Sequence, residues 1–212
     1  MKPWTTFLFG LLVLLSSAAR GDVSPEAQVK QTTQEILALI KEDQAVKAGD
    51  RHRLMELVDG KVLPHFDFQR MTRLAIGRHW AAVSPEQRET LVREFRNLLV
   101  RTYANAFLTY QKERVIDPTV DIKPGRRGQT ADDVTVQTIV KNPGEQPIMV
   151  DYDMIKSGDK WRVYDVIVGG VSLVTTYRTT FSQEIQQSGI DGLVKLLKDK
   201  NQGSQTPKSD AK

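Results

Sequence analysis

Apolar positions recur first at helical and then at alternating spacing, and the change of period divides the chain near Pro118. Upstream, Ser24-Pro25-Glu26 is a helix start: a capping hydroxyl, proline at the first helical position, and an acid at the positive dipole end. Val29, Ile36, Leu37 and Ile40 give that helix one apolar face; Gly49 ends it, and Asp50 caps a second helix carrying Leu54, Leu57 and Val58. Pro64 stops the second helix, and Asp67 caps a short third one with Phe68, Met71, Leu74 and Ala75, closed by Gly77. Ser84-Pro85-Glu86-Gln87 forms a capping box that opens a helix running to about Tyr110. Its stripe is Leu91, Phe95, Leu98, Leu99, Tyr103, Phe107 and Tyr110. At about 24 residues and roughly 36 Å it is longer than one face of a small sheet requires. The ordinary reading of such a stripe is core; its length and its two tyrosines leave room for a cavity wall.

Downstream, period-2 patterns take over. Val120 and Ile122 alternate, a basic loop follows at Lys123–Gly128, and Val134, Val136, Thr138 and Val140 share one face of the next strand. Asn142-Pro143-Gly144 turns the chain into a strand with Ile148, Val150, Tyr152 and Met154 on one face and Asp151 and Asp153 on the other. A tight turn at Ser157-Gly158-Asp159 leads into the last strand, Trp161 to Val168. A two-residue loop would set Tyr152 opposite Asp165, and a three-residue loop would set it opposite Tyr164. After Gly169-Gly170, Val174, Tyr177, Phe181 and Ile185 restore the helical period over Val171–Gln187, and a short helix through Leu193, Leu196 and Leu197 follows Gly189. The pattern predicts an α+β fold: four helices, a mostly antiparallel sheet of about four strands, and a helix folded back across it.

The N-terminus changes this picture. Lys2, the apolar run Phe7–Leu15 and the small residues before Gly21 predict a signal peptide over residues 1–21, which places the mature protein outside the cytoplasm. No cysteine occurs, so a lipoprotein anchor is ruled out at that junction, and the exported chain must hold together by core burial. That suits a bacterial periplasm. Removing residues 1–21 takes Lys2 and Arg20 away, leaving 28 basic against 26 acidic residues, a net charge of +2 that gives no argument for nucleic acid. Residues 22–201 read as a single domain, helical to about 112 and then sheet plus C-terminal helices from about 115, with a polar tail at 202–212 expected to be disordered.

Catalytic chemistry is thin. His52, His65 and His79 lie thirteen and fourteen residues apart, without a spacing that gathers them on a metal, and no thiol nucleophile, nucleophile elbow or phosphate-cradling glycine loop is present. Neither metal nor cofactor is called for. Asp165, inside Val163-Tyr164-Asp165-Val166, has two readings: a structural acid bonding a tyrosine or a backbone amide, or a general base beside a cavity. The basic loop around Arg126 and Arg127 reads as a solvated turn, with lipid phosphate or an acidic partner as the other possibility.

Several blocks resemble the MlaC (toluene-tolerance) family: Leu63-Pro64-His65-Phe66-Asp67-Phe68 with Met71-Thr72, Gly77 and Trp80; Ser84-Pro85-Glu86-Gln87-Arg88; Phe95 to Tyr103-Ala104; and Val150-Asp151-Tyr152. The densest likeness is Trp161-Arg162-Val163-Tyr164-Asp165-Val166 with Gly170-Val171-Ser172-Leu173, then Gly189-Ile190-Asp191-Gly192-Leu193. The resemblance spans about residues 24–200. It implies a cone-like curved sheet, similar to nuclear-transport-factor-like domains, with a helical subdomain enclosing an apolar cavity. It further implies a monomeric periplasmic carrier of glycerophospholipid, serving an outer-membrane lipoprotein–porin complex and an inner-membrane ABC transporter with an MCE-domain ring. With periodicity, it assigns the cavity wall to Phe95, Leu99, Tyr103, Phe107, Val150, Tyr152, Val163, Val171, Val174 and Tyr177. An enzyme on the same cone-like fold, with Asp165 as base, and an interaction protein with a dry core are the competing readings.

Overall fold

The computed structural model describes residues 23–113, 117–128 and 130–203, so the expected signal peptide and residues 204–212 of the tail lie outside it. Helix α1 (Pro25–Glu42) starts on Ser24, whose hydroxyl accepts from the Ala27 amide at 3.1 Å. It stops seven residues before Gly49, where the sequence predicted its end. Asp43 is the cause: its Oδ1 accepts from the amides of Ala45 and Val46 at 3.0 and 3.1 Å, which caps a new four-residue helix, α2 (Gln44–Lys47). Asp50 caps α3 (Arg51–Leu57) as the pattern predicts, by accepting from the Arg53 amide. The chain then loosens into a π-helical turn, Val58–Val62, and a 3-10 turn, Leu63–His65. Asp67 opens α4 (Phe68–Ile76), and Gly77 at φ 62° closes it. The capping box forms both reciprocal bonds, Gln87 N to Ser84 Oγ at 3.2 Å and Ser84 N to Gln87 Oε1 at 3.0 Å. Helix α5 (Pro85–Glu113) runs three residues beyond the expected Tyr110.

The sheet comprises β1 (Thr119–Ile122), β2 (Arg126–Arg127), β3 (Asp133–Lys141), β4 (Ile148–Ser157), β5 (Lys160–Val168) and β6 (Val171–Ser172). Every pairing between these strands is antiparallel, in the order β1-β3-β4-β5-β6, with β2 also on β3. The α+β expectation holds, with two short strands more than the four foreseen. One is β6: Val171 and Ser172 pair with Val168 and Ile167, so the last helix, α6 (Leu173–Gly203), begins two residues later than its periodicity suggested. Gly189, at φ 70° and ψ −174°, breaks α6 where a helix end was predicted. The basic loop is tied down rather than free, because the Gly125 amide donates to Glu26 Oε1 at 2.8 Å and Arg126 lies 3.9 Å from Asp151.

Two main cores hold these layers together. Met71, Leu91, Phe95, Phe181, Leu193 and Leu197 join α4, α5 and α6, while Val29 of α1 covers Val134, Val136, Met154 and Val163 on one face of the sheet. A smaller cluster of Val46, Leu54 and Ala104 docks α2 and α3 on the second half of α5.

Candidate functional site

The β4–β5 turn is two residues long, since Ser157 pairs with Lys160. That loop alone would set Tyr152 opposite Asp165. Instead the register shifts by one between Asp153 and Met154, with Tyr164 as the extra residue, and Tyr152 faces Val166. The bulge decides which side chains meet the helices. Paired residues share a face, so Val163 opposite Met154 and Val166 opposite Tyr152 lie on the same side despite odd spacing. Val168, opposite Val150, follows them. Without the bulge, Val166 and Val168 would point away from α1.

Beside these valines lies a cavity of about 710 Å³. Its walls come from Ile36, Leu39 and Ile40 of α1, Leu54 and Leu57 of α3, the turn from Val58 to Leu63, Phe66, and Phe68 and Met71 of α4. The other side is Leu99, Val100, Tyr103, Ala104 and Phe107 of α5, Val166 and Val168 of β5, and Val171, Leu173, Thr176 and Tyr177 around the start of α6. Among the described residues of the lining, Lys61 is the single charged one, and Thr176 and the two tyrosine hydroxyls are the other polar side chains. Burial pushes the phenols of Tyr103 and Tyr177 above their ordinary value, so both remain neutral. Tyr103 and Val171 are 52% and 63% exposed, which opens the wall to solvent on their side. A space of this size within hydrocarbon gives water few partners, and the matching content is itself apolar.

Of the wall residues predicted from sequence, Leu99, Tyr103, Phe107, Val171 and Tyr177 line this cavity. Phe95 does not: it is fully buried one layer behind, with its ring edge-on to Tyr177 at 4.9 Å and to Phe181 at 5.0 Å. Val174 turns into the same core, and Val163 packs with Tyr152 in the cluster beneath α1. Val150 sits on the cavity-facing side of the sheet but outside the wall, one strand further in than Val168. The wall residues that periodicity missed are those of α1, α3 and the turn after α3. Their apolar faces are legible in the sequence, but nothing in the spacing marks them as wall.

Asp165 is 8% exposed and already committed. Its Oδ1 accepts from the amides of Val166 at 2.8 Å and Val174 at 3.0 Å, and its Oδ2 accepts from the Ser172 hydroxyl at 2.5 Å. Ser172 Oγ in turn accepts from the Thr175 amide at 3.0 Å. The acid thus fastens the first turn of α6 to β5, through amides and a serine rather than a tyrosine, and it is not a cavity-lining residue. Among the described residues, no group of three or more His, Cys, Asp or Glu is placed to hold a metal ion.

Helices and a sheet edge closed around an apolar cavity define a class of small α+β proteins that are built to receive an apolar ligand. Within that class the chain belongs to the MlaC family, whose profile, described as MlaC protein, matches residues 30–199. It is 25% identical over 199 residues to the intermembrane phospholipid transport system binding protein MlaC of Haemophilus influenzae, covering 92% of this chain and 91% of that protein. It is 24% identical to the toluene tolerance protein ttg2D of Pseudomonas putida, over 86% and 84% of the two chains. Among solved structures, a phospholipid-binding protein from Ralstonia solanacearum, determined in complex with a phospholipid, superposes with a TM-score of 0.74 at 37% identity, covering 84% of this chain and 97% of that one.

Proposed function

We propose that this protein is a periplasmic phospholipid carrier. It holds acyl tails in the cavity with the headgroup outward. It moves lipid between an outer-membrane lipoprotein–porin complex and an inner-membrane ABC transporter bearing an MCE-domain ring, and so maintains the lipid asymmetry of the outer membrane. The observation that carries this reading is the hydrocarbon-lined cavity of about 710 Å³ with one charged residue in its wall, in a fold shared with a relative that was solved holding a phospholipid. The relatives named for intermembrane phospholipid transport and for toluene tolerance support the same direction.

The energetics require a carrier to hand over its load while docked. At about 0.8 kcal/mol per buried methylene, two tails of ~15 methylenes amount to roughly 24 kcal/mol. That exceeds the practical ceiling of about 18–21 kcal/mol for non-covalent binding, so ordering and cavity costs offset part of it. Escape into water is still very slow, and the tails must pass directly from one apolar wall to another. The alternative, an enzyme with Asp165 as general base, has less behind it, because that carboxylate already accepts three hydrogen bonds and lies outside the cavity wall.

Organic extraction separates the readings. Protein purified from a Gram-negative host should yield stoichiometric phospholipid that is still intact after hours of incubation. Lysophospholipid and fatty acid accumulating with time would make it an enzyme, and no lipid at all would leave it an interaction protein.

A further inference from the structure

Helices α4 and α6 each carry a second face that the cavity does not use. Phe68 and Met71 of α4 border the cavity, whereas Arg73 and Leu74 further along that helix, with Gly77 just past its end, line a shallow groove of about 440 Å³. Arg178, next to Tyr177 on α6, borders the same groove, as do Arg78 and Trp80 from the turn after α4. Among the described residues, no acidic one lines it.

Among the described residues, Arg73, Arg78 and Arg178 have no carboxylate within ion-pair distance. Arg178 is held in place all the same, its Nε donating to the Leu74 carbonyl at 2.8 Å, which leaves the rest of the guanidinium facing outward. Arg88 stacks on Trp80 at 5.1 Å and donates to its carbonyl at 3.2 Å, which steadies the indole. The result is a pre-arranged apolar floor, Leu74 and Trp80, under a rim of three guanidiniums.

We infer that this groove is a docking site for an acidic segment of a partner protein, with an apolar side chain seated on Trp80 and flanking carboxylates gripped by Arg73, Arg78 and Arg178. Guanidinium forks recognise carboxylates in bidentate fashion, and an arginine rim around an aromatic floor is the composition of an interface hot spot. Concavity favours a peptide over a bilayer, since a flat anionic membrane is met best by protruding cations rather than by a recess. Because the groove and the cavity share no lining residue, a partner bound here leaves the exposed wall at Tyr103 and Val171 free. The inference does not depend on what the cavity holds.

The test uses the mature full-length chain and a fluorescein-labelled Glu-Glu-Leu-Glu-Glu peptide at low salt, with its Gln-Gln-Leu-Gln-Gln counterpart and phosphatidylglycerol vesicles as comparisons. The acidic peptide should bind, weaken as salt rises, and shift the indole resonance of Trp80, assigned with Trp80→Phe. Arg73→Ser/Arg78→Ser should lose affinity by about tenfold or more, as expected when charge-assisted pairs are removed. Lys30→Ser/Lys47→Ser, which removes equal charge from exposed positions elsewhere, should bind as wild type. Equal binding by the two double variants would overturn the proposal. So would binding to vesicles without binding to peptide, equal affinity for the glutamine peptide, or no binding of any probe.

Discussion

Asp165 and Asp153 stand opposite one another across β4 and β5, and their surroundings give them different consequences. Asp165 accepts two amide hydrogens and a serine hydroxyl, so Asp165→Asn keeps one acceptor oxygen and turns an amide group toward Ser172. Urea unfolding should show a loss of about 1–3 kcal/mol, the usual range for disturbing bonds to a charged group. Bound lipid should remain equal in amount and intact; a mutation-dependent change in lipid chemistry would contradict the structural role. Asp153 has less support. Burial, and then the charges of Asp165, Asp133 and Asp151, push its carboxyl above the ordinary value, and the Thr135 hydroxyl at 2.6 Å only partly opposes them. A group held more tightly protonated in the folded state contributes its full stability below the unfolded pKa and loses it as pH rises through the folded one. At neutral pH Asp153 therefore weighs against the fold. Asp153→Asn, which still accepts from Thr135, should melt higher than wild type at pH 7, and the gap should close as pH falls to about 4, where unfolded carboxylates take up protons. A lower melting temperature at pH 7, or a gap that does not change with pH, would contradict this.

At the scale of elements, α5 carries two functions along one stripe. Its first half, through Leu91 and Phe95, packs in the core against α6, and its second half, from Leu99 to Phe107, forms cavity wall. Periodicity identified the helix, its capping box and its apolar face, because those are local properties of spacing and caps. It could not mark where core gives way to cavity, since the same residue types serve both and only the placement of α1 and α3 decides. That placement sets Phe95 and Val174 in the core behind the wall and brings Ile36, Leu54 and Val58 to the wall itself. The β5 bulge was equally hidden: Tyr164 fits a strand as well as its neighbours do, and the extra residue is defined only by the partner strand. The β5–β6 turn, with Gly169 and Gly170 at φ 57° and 85°, brings Val168 and Val171 to the rim together. Val171→Glu should therefore expel lipid, because an unpaired carboxylate among tails costs several kcal/mol or draws water in. Its circular dichroism should stay near native, as Val171 is 63% exposed and outside both main cores. A folded variant with undiminished lipid would remove Val171 from the binding wall.

At the scale of the molecule, the cavity and the arginine-rimmed groove share no lining residue, so a ligand in one and a partner at the other need not compete for the same surface. No helix among the described residues is long and apolar enough to cross a membrane. The central claim is that acyl tails lie between α1, α5 and the start of α6. It is tested most directly by placing a photoreactive benzoylphenylalanine at single positions along α5 in a Gram-negative host with radiolabelled phospholipid. Tyr103 and Phe107 line the cavity, while Tyr110, about two turns beyond Tyr103, lies outside the wall and its hydroxyl donates to Glu145 at 2.6 Å. Illumination should cross-link phospholipid at positions 103 and 107 and not at 110. Adducts of equal yield at all three positions, or none at 103 and 107, would contradict the account.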